Sequence, residues 1–405
     1  MTRIFLILLA CCNFASAFAQ SEVLQAARKA NDYFMAKFPD PTQATNVGRI
    51  RPSSLWTRAV YYEGLMALQA LEPQQRYVDY AMRWADFHQW TPRNGVNTCD
   101  ADDQCCAQTY VELLPYTGKD YKQQLGNVIA NLDHQMQTPN TRKIVTHKPF
   151  NSAEDSLLGW WTWIDAIQMA MPLYMQVSRL TGDAKYSRHA LSMYLWSRNT
   201  CGGGLFNEKE GLWWRDADYV PPYKERDGQN CYWSRGNGWV YAALVRSMEQ
   251  LKVQGSRFKS SRGSKVQEVK GSKRKERGSR EKAYRQLRKD FVRMSEALLK
   301  CQHADGFWHA SLVSDADYPT PEMTGTALFL YGMSWGIQQG LLSEKTYGAA
   351  CDRAWQALSR CLRQDGSLGW AQGTGKDPSA GQPVTYDSTP DFEDYGTGCF
   401  LLGGV

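Results

Sequence analysis

The sequence of 405 residues predicts an all-α protein built as an (α/α)6 barrel, in which six helical hairpins close into a ring. Three observations support this prediction. Apolar residues recur at helical spacing in about twelve segments, and few segments alternate as strands do. The connections between helices are alternately short and long. A helix that ends in an Asp-Gly turn occurs twice, at Asp305-Gly306 and sixty residues later at Asp365-Gly366, which indicates a repeat of one hairpin with its loops.

The predicted helices follow from this spacing and from the residues that interrupt it. Pro39 and Pro41 end the first helix, and Pro73 with Gln74 separates the second from the third. A ring of hairpins would bring the long loops, which hold the Trp, Asp, Gly and Arg residues, to one mouth. In chain order the predicted helices are Ser21–Phe38, Trp56–Leu71, Tyr77–Trp90, Gln104–Pro115, Tyr121–Gln137, Trp160–Thr181, Ala184–Trp196, Trp239–Leu251, Tyr284–Cys301, Thr324–Gln339, Lys345–Arg363 and Gly398–Leu402.

The first nineteen residues have the pattern of an export signal. Arg3 precedes an apolar run, Ile4 to Phe14, and the small-x-small sequence Ala17-Phe18-Ala19 follows. The run is too short for a membrane-spanning helix, and no later stretch qualifies. We expect a signal peptide over 1–19, a single catalytic domain over 20–405, and a periplasmic or secreted mature protein with no membrane partner.

The cysteine pattern does not predict a metal site. Of eleven cysteines, two lie in the signal, which leaves an odd nine. No Cys-x-x-Cys pair or Cys/His spacing of a zinc site is present. One or two disulfides would fit an oxidising compartment, but the sequence does not pair them. We expect no metal and no cofactor.

The net charge of +6 comes from one segment. Lys252 to Asp290 holds fifteen Lys or Arg against four Asp or Glu, so it carries +11 and the rest of the chain −5. Within it, residues 253–282 repeat Gly-Ser among basic residues and lack apolar content, so we expect a disordered insert. Such an insert either binds an acidic polymer or is a tolerated surface insertion, and the second interpretation is preferred. We expect no nucleic-acid partner.

The stretch from Trp160 to Pro172 is predicted to be an apolar helix with three tryptophans at one end and a single carboxylate, Asp165, in its middle. A carboxylate in apolar surroundings is paired, hydrogen-bonded or shifted in pKa. The structural alternatives are an acid at a helix N-terminus and an Asp bound by backbone amides.

A second stretch, Cys231 to Trp239, favours a functional role for this acid. It contains two indoles, a guanidinium and two glycines in nine positions, a pattern that suits a sugar acid. Arg235 can bind a carboxylate through two hydrogen bonds, and Trp233 or Trp239 can stack on a sugar ring.

These stretches resemble the unsaturated glucuronyl and rhamnogalacturonyl hydrolases of glycoside hydrolase families 88 and 105, and more closely the latter. The resemblance covers residues 24–403 apart from the basic insert. It depends on four motifs in order: Trp-Ile-Asp-Ala with Met-Ala-Met-Pro around Asp165, Trp-Ser-Arg-Gly-Asn-Gly-Trp at 233–239, Pro-Glu-Met-Thr-Gly-Thr-Ala at 321–327, and Tyr-Gly-Thr-Gly-Cys-Phe-Leu-Leu at 395–402.

The resemblance implies an (α/α)6 barrel that removes a terminal 4,5-unsaturated uronate from a small oligosaccharide left by a polysaccharide lyase, most closely unsaturated galacturonyl-rhamnose from pectin rhamnogalacturonan. It implies that Asp165 is the general acid/base that protonates C4 of the enol ether before water adds at C5. Asp102 or Asp103 matches the second active-site acid of the family; we prefer Asp102, since Asp103 could cap a helix.

The resemblance also implies substrate contacts. Trp233, Arg235 and Trp239 match contact positions of the family motif, and the pair His147-Lys148 corresponds to a His-Lys pair ahead of the acid in relatives. Alternatively, the glycines and aromatic residues shape a loop, and His147-Lys148 belongs to a surface loop.

One position departs from the family. Leu212-Trp213-Trp214-Arg215-Asp216 has Arg215 where many relatives carry His. We expect Trp214 and Arg215 to contact substrate, with Arg215 favouring an acidic or sulfated partner sugar or pairing with Asp216 or Asp218. The alternative functions are an ordinary inverting glycosidase or sugar epimerase on the same barrel, and a non-catalytic glycan-binding protein.

Overall fold

The computed structural model describes residues 21–47, 49–141, 152–252, 270–388 and 393–404. The described part contains fourteen α-helices and six very short strands. The helices α1 to α14 are residues 21–37, Trp56–Leu71, Gln75–Phe87, Ala101–Gln104, Cys106–Thr117, Tyr121–Gln135, Ala153–Leu158, Asp165–Thr181, Ala184–Asn199, Ser234–Leu251, Lys270–Cys301, Met323–Gln338, Glu344–Cys361 and Glu393–Gly403. The strands β1 to β6 are Thr45–Val47, Arg49–Arg51, Phe206–Asn207, Leu212–Trp213, Trp308–His309 and Pro321–Glu322.

Six helices form a closed inner ring. Around the ring, α2 contacts α5, followed by α8, α10, α12 and α14, and α14 returns to α2. The outer layer consists of α1, α3, α6, α9, α11 and α13, each next in sequence to an inner partner. Six hairpins therefore close into a ring, and the predicted (α/α)6 barrel is confirmed.

The inner and outer helices differ in composition as their positions require. Fourteen of the seventeen residues of α8 are buried, whereas only six of the eighteen residues of α13 are. A helix that is apolar all round suits the interior, and one with a single apolar stripe suits the outer layer. Small residues allow α2 and α14 to approach closely: a Cβ atom on Gly64 would lie 2.5 Å from the Gly398 carbonyl oxygen.

The long loops meet at one end of the barrel. Each long loop runs from an outer helix to the N-terminus of the next inner helix, and the three antiparallel pairs β1–β2, β3–β4 and β5–β6 lie in these loops. Neighbouring loops pair through isolated bridges, Trp163 with Asp216 and Trp233 with Ser311. We call this end the mouth. The described connections from inner to outer helices lie at the opposite end.

Two helix starts differ from the prediction at the positions that matter most. Helix α8 begins at Asp165 and not at Trp160, so Asp165 is its first residue. Helix α10 begins at Ser234 and not at Trp239, so most of the Trp-Ser-Arg-Gly-Asn-Gly-Trp motif is helical. Glycine lowers helix propensity, but here Gly236 and Gly238 let α10 pack closely against Ile164 and Leu328.

Helix α11 also begins earlier than predicted. It starts at Lys270, so residues 270–282 of the expected disordered insert are helical. This half of the insert is rich in Lys, Arg and Glu, which are good helix formers, and it contains no proline. Residues 253–269 and the expected signal peptide at 1–19 lie outside the described residues.

Eight cysteines are free thiols: Cys105, Cys106, Cys201, Cys231, Cys301, Cys351, Cys361 and Cys399. No helix in the described ranges is both long enough and apolar enough to cross a membrane.

Candidate active site

Asp165 lies at the mouth, at the N-terminus of α8. The preceding residues are held by the next loop: the Ile164 backbone N–H donates to the Arg215 carbonyl at 2.9 Å, and Trp163 forms its bridge with Asp216. The side chain of Asp165 is 12% exposed. A helix N-terminus favours an anion, whereas burial favours the neutral acid, so the position suits a carboxyl group that changes protonation state.

Arg215 bridges two carboxylates. Its Nε lies 3.2 Å from Asp165 Oδ2, and its NH1 donates to Asp216 Oδ2 at 2.7 Å. Asp216 is buried and also accepts from the Asp218 backbone N–H at 2.9 Å. The predicted ion pair with Asp216 is confirmed, but the contact of Arg215 with the expected catalytic acid was not anticipated.

Two carboxyl groups at the mouth have raised pKa values. Burial raises the pKa of Asp165, and the positive charges of Arg215 and Arg235 oppose this shift. Burial raises the pKa of Asp102 to about 8, with further increases from the charges of Asp100 and Asp165. Asp102 is still half-buried by surface area, so it is open to solvent at the mouth. Because the charge of Asp165 contributes to the raised pKa of Asp102, the protonation states of the two acids are linked.

The neighbouring acids Asp102 and Asp103 have different surroundings. Asp103 is buried and accepts hydrogen bonds from Arg93 at 2.7 Å, Asn94 at 3.0 Å and Thr98 at 2.6 Å. With these three donors it fixes the loop before α4 and is not directed at substrate, which corrects the expectation of substrate binding by Asp103. It is not the helix cap either.

The cap of α4 is Asp100. Its carboxylate accepts from the Asp102 backbone N–H at 3.0 Å. The preference for Asp102 as the acid at the mouth agrees with this geometry.

Arg235 does not present its guanidinium to the mouth as expected. It is 1% exposed, and it donates to the backbone carbonyls of Gln372 at 2.9 Å and Gly373 at 2.7 Å. Its guanidinium carbon also lies 4.5 Å from the centre of the Trp233 ring. The expected two-bond contact with a substrate carboxylate is therefore replaced by two bonds to backbone, and Arg235 fixes the 371–373 loop.

The three tryptophans of the prediction also differ in position. Trp239 is fully buried with its ring edge towards Trp56, which corrects the expectation that it stacks on sugar. Trp233 is 1% exposed and donates from Nε1 to Gln372 Oε1 at 2.8 Å. Trp214 is 9% exposed, with its ring 5.7 Å from that of Tyr232. In this structure none of these indoles offers an open face for stacking. His147 and Lys148 lie outside the described residues.

Three structural residues of the site were not predicted. Gln372 joins α10 to the last long loop, and the Tyr395 hydroxyl donates to its carbonyl. Glu322 caps α12 by accepting from the backbone N–H groups of Thr324 and Gly325 at 3.0 and 2.6 Å. Glu322 lies within a motif that carried the resemblance and could have been found as a cap. No local pattern marks Gln372.

A buried polar network lies inside the ring. Glu63 on α2 accepts from Gln168 on α8 at 2.7 Å, and Arg246 on α10 lies 3.7 Å from the same oxygen. Burial raises the pKa of Glu63 to about 7, although the charge of Arg246 opposes this. Because Gln168 is one turn beyond Asp165, this network fixes the helix that carries the acid.

Together these contacts define an enzyme-like site: two carboxyl groups with raised pKa values, one half-buried guanidinium and buried aromatic rings at the mouth of an (α/α)6 barrel. Such a site can give a proton to a sugar and attract its carboxylate. The comparisons with known proteins agree. A sequence model described as Glycosyl Hydrolase Family 88 matches residues 26–270 and 276–405, so the chain belongs to glycosyl hydrolase family 88.

Individual relatives cover most of the chain. The chain is 28% identical over 358 residues to a protein of Formosa agariphila named unsaturated 3S-rhamnoglycuronyl hydrolase, which spans 86% of this chain and 83% of that protein. It is 31% identical over 242 residues to a protein of the same name from Alteromonas sp., which spans 60% of this chain and half of that protein. A solved family 88 glycosyl hydrolase from Bacteroides vulgatus matches with 26% identity and a TM-score of 0.76, over 95% of this chain and 97% of that one.

Proposed function

We propose that this glycosyl hydrolase removes a terminal 4,5-unsaturated uronate linked to rhamnose in an oligosaccharide left by a polysaccharide lyase. The observation that carries the proposal is the contact between Arg215 and Asp165 beside the proton-holding Asp102. The names of the two relatives, which describe an unsaturated rhamnoglycuronyl substrate, support the same chemistry.

The proposed reaction begins with the transfer of a proton from Asp165 to C4 of the unsaturated ring. The positive charge then develops at C5 and the ring oxygen, and water adds to C5. Asp165 takes the proton that this water loses, so the acid is regenerated. The resulting hemiketal opens and expels the neighbouring sugar from C1. A single carboxyl group therefore acts first as acid and then as base. Ordinary acetal hydrolysis differs, because two carboxyl groups on opposite sides of the bond share these roles.

Arg215 is proposed to couple substrate binding to the protonation of Asp165. In the free enzyme the guanidinium favours the ionised form of Asp165 and opposes the rise in its pKa that burial causes, while Asp102 has a pKa of about 8. A substrate carboxylate that attracts Arg215 would remove part of this counter-charge and raise the pKa of Asp165. Asp165 would then carry the proton where C4 needs it.

The sugar next to the uronate is proposed to be rhamnose, with or without sulfate. The sequence favoured rhamnose from pectin rhamnogalacturonan, and the relatives' names add a 3S-rhamnoglycuronyl substrate, so rhamnose is common to both. An additional cation at position 215, where many relatives have His, is compatible with an acidic substituent. We also propose that the chain is more similar to family 105. We further propose that the expected signal directs its export and that it acts in the periplasm or outside the cell.

The experiment is to mix the purified protein with lyase digests of rhamnogalacturonan, ulvan and glycosaminoglycan and to follow the ultraviolet absorbance of the conjugated unsaturated uronate. Loss of absorbance is expected in the rhamnogalacturonan digest, the ulvan digest or both, and not in the glycosaminoglycan digest. Matched saturated oligosaccharides are the control. Cleavage of these with the absorbance unchanged would favour an ordinary glycosidase, and binding without turnover would favour a glycan-binding protein.

A further inference from the structure

The long loop between α11 and α12 brings two histidines and an aspartate together. His309 follows His303 by six residues, and Asp315 follows His309 by another six. The imidazole rings of His303 and His309 stack with centres 3.6 Å apart and planes 7° from parallel. This cluster is separate from the Asp165 site and has no role in the reaction proposed above.

Both imidazoles direct the same nitrogen at one carboxylate. His309 Nδ1 lies 2.9 Å from Asp315 Oδ1, and His303 Nδ1 lies 3.6 Å from Asp315 Oδ2. One ligand atom from each of the three residues lies within 4.8 Å of the others. Two ligand atoms of a tetrahedral zinc ion are ~3.3 Å apart. Rotation of the half-exposed Asp315 side chain can bring the three ligand atoms to this separation without a change in the backbone.

Both ring nitrogens of His309 have a carboxylate partner. Its Nε2 lies 3.4 Å from Asp305 Oδ2, while its Nδ1 lies against Asp315, so both ring nitrogens point at carboxylates. A neutral imidazole carries one N–H and satisfies only one carboxylate. The second contact needs either an additional proton or a metal ion at Nδ1. A carboxylate on the opposite nitrogen is the usual partner of a metal-bound histidine, because it fixes the tautomer.

His303 is half-buried, and its Nδ1 faces the Asp315 carboxylate. His303 and Asp315 also line a cavity of about 660 Å³ beside the loop. A metal ion held by the cluster would therefore keep an open position facing the cavity, where water can complete its coordination.

We propose that His303, His309 and Asp315 bind a divalent transition-metal ion of the Zn²⁺ type, with Asp305 orienting His309. Two imidazoles and a carboxylate are the donor set that such ions prefer over Mg²⁺ or Ca²⁺. The sequence predicted no metal because it lacks the Cys/His spacing of a zinc site, and this set of ligands contains no cysteine. Since the loop pairs with the start of α10 through the bridge of Ser311 with Trp233, the ion would stabilise the mouth.

The test is calorimetric titration of the full-length, tag-free protein with Zn²⁺ after dialysis against a chelator. One equivalent is expected to bind, with an increase in the melting temperature. His309→Ala and Asp315→Asn are each expected to weaken binding at least tenfold, and Asp305→Asn about tenfold to 100-fold as an orienting partner. His134→Gln, on the outer helix α6, is the matched control and is expected to bind as wild type does.

The result that would overturn the proposal is equal binding by wild type, His309→Ala and Asp315→Asn, or no binding by wild type at 100-fold excess Zn²⁺. Circular dichroism of each variant establishes that it is folded. His303→Gln provides a second, smaller change that removes a ligand if His309→Ala does not fold.

Discussion

The segments 212–216 and 233–239 both carry tryptophans and an arginine to the mouth, yet the two arginines have opposite surroundings. Arg215 is 21% exposed and contacts the carboxylates of Asp165 and Asp216. Arg235 is 1% exposed, and its NH1 and NH2 groups donate to backbone carbonyls. The first arginine remains available to an incoming anion, and the second holds the wall of the site. The groups that an arginine contacts, more than the residue type itself, therefore decide whether it is available to bind substrate or holds the structure of the site.

The largest effect is expected for Asp165→Asn, which removes the proton carrier that Arg215 contacts. Activity should fall by about 10³- to 10⁴-fold, the range of a lost general acid/base. The melting temperature should stay close to that of wild type, because Asn occupies the same space. Turnover assays on a lyase digest and thermal unfolding measure both quantities. Activity near the wild-type level would contradict the role given to Asp165.

Arg235→Ala should act on stability. The substitution leaves the Gly373 carbonyl without its Arg235 donor, removes one of the two donors to the Gln372 carbonyl and opens a cavity under Trp233. The free energy of unfolding should therefore fall by about 3–5 kcal/mol. Urea unfolding gives this value. Arg226→Ala is the control, since Arg226 is 71% exposed in its ion pair and should cost less than about 1 kcal/mol. If Arg235→Ala lost substrate binding without loss of stability, Arg235 would be a substrate ligand after all.

Asp102→Asn and Asp103→Asn make a second matched pair. Asp102→Asn should lower activity about 10²-fold, because the amide of Asn cannot hold a proton for Asp165 as the carboxyl group of Asp102 can. Asp103→Asn should instead destabilise the fold by about 2 kcal/mol, because it weakens the bonds with Arg93, Asn94 and Thr98. Assays per folded molecule separate the two effects. The reverse pattern would mean that Asp103, and not Asp102, is the second active-site acid.

The pH dependence of stability tests the state of Asp102. Its pKa of about 8 lies above the unfolded value of ~3.9, so the folded protein binds more protons between these two pH values. Its contribution to the free energy of unfolding is therefore fully present below pH ~4 and is lost as the pH rises through 8. Asp102→Asn should match wild type at the acid end and exceed it at pH 8, as measured by thermal unfolding. A constant difference across this range would contradict the raised pKa.

The smallest effect is expected for Arg215→Gln. KM should rise about tenfold, the equivalent of one charged hydrogen bond. Because Arg215 lowers the pKa of Asp165, its removal should move the basic limb of the pH–activity profile to higher pH. Arg226→Gln, on the same long loop, is the control. An unchanged profile would mean that Arg215 does not influence the protonation of Asp165.

The sequence predicted the fold well because the barrel depends on periodic apolar helices and alternating loop lengths, which are local features. It also identified Asp165, Asp102 and Arg215 as residues at one mouth. It did not predict that Arg215 contacts Asp165, because the two residues are fifty positions apart and meet only when the loops pair. The burial of Arg235 and Trp239 was missed for the same reason. Their partners, Gln372 in the last long loop and Trp56 at the start of α2, are distant in sequence and carry no local signal.

The most direct test of protonation by Asp165 is the reaction of a lyase digest in D₂O, followed by nuclear magnetic resonance. Wild type is expected to place one deuterium at C4 of the released uronate, and Asp165→Asn is expected to show essentially no turnover. Release of the uronate with its double bond intact, and with no deuterium at C4, would contradict the proposed protonation by Asp165.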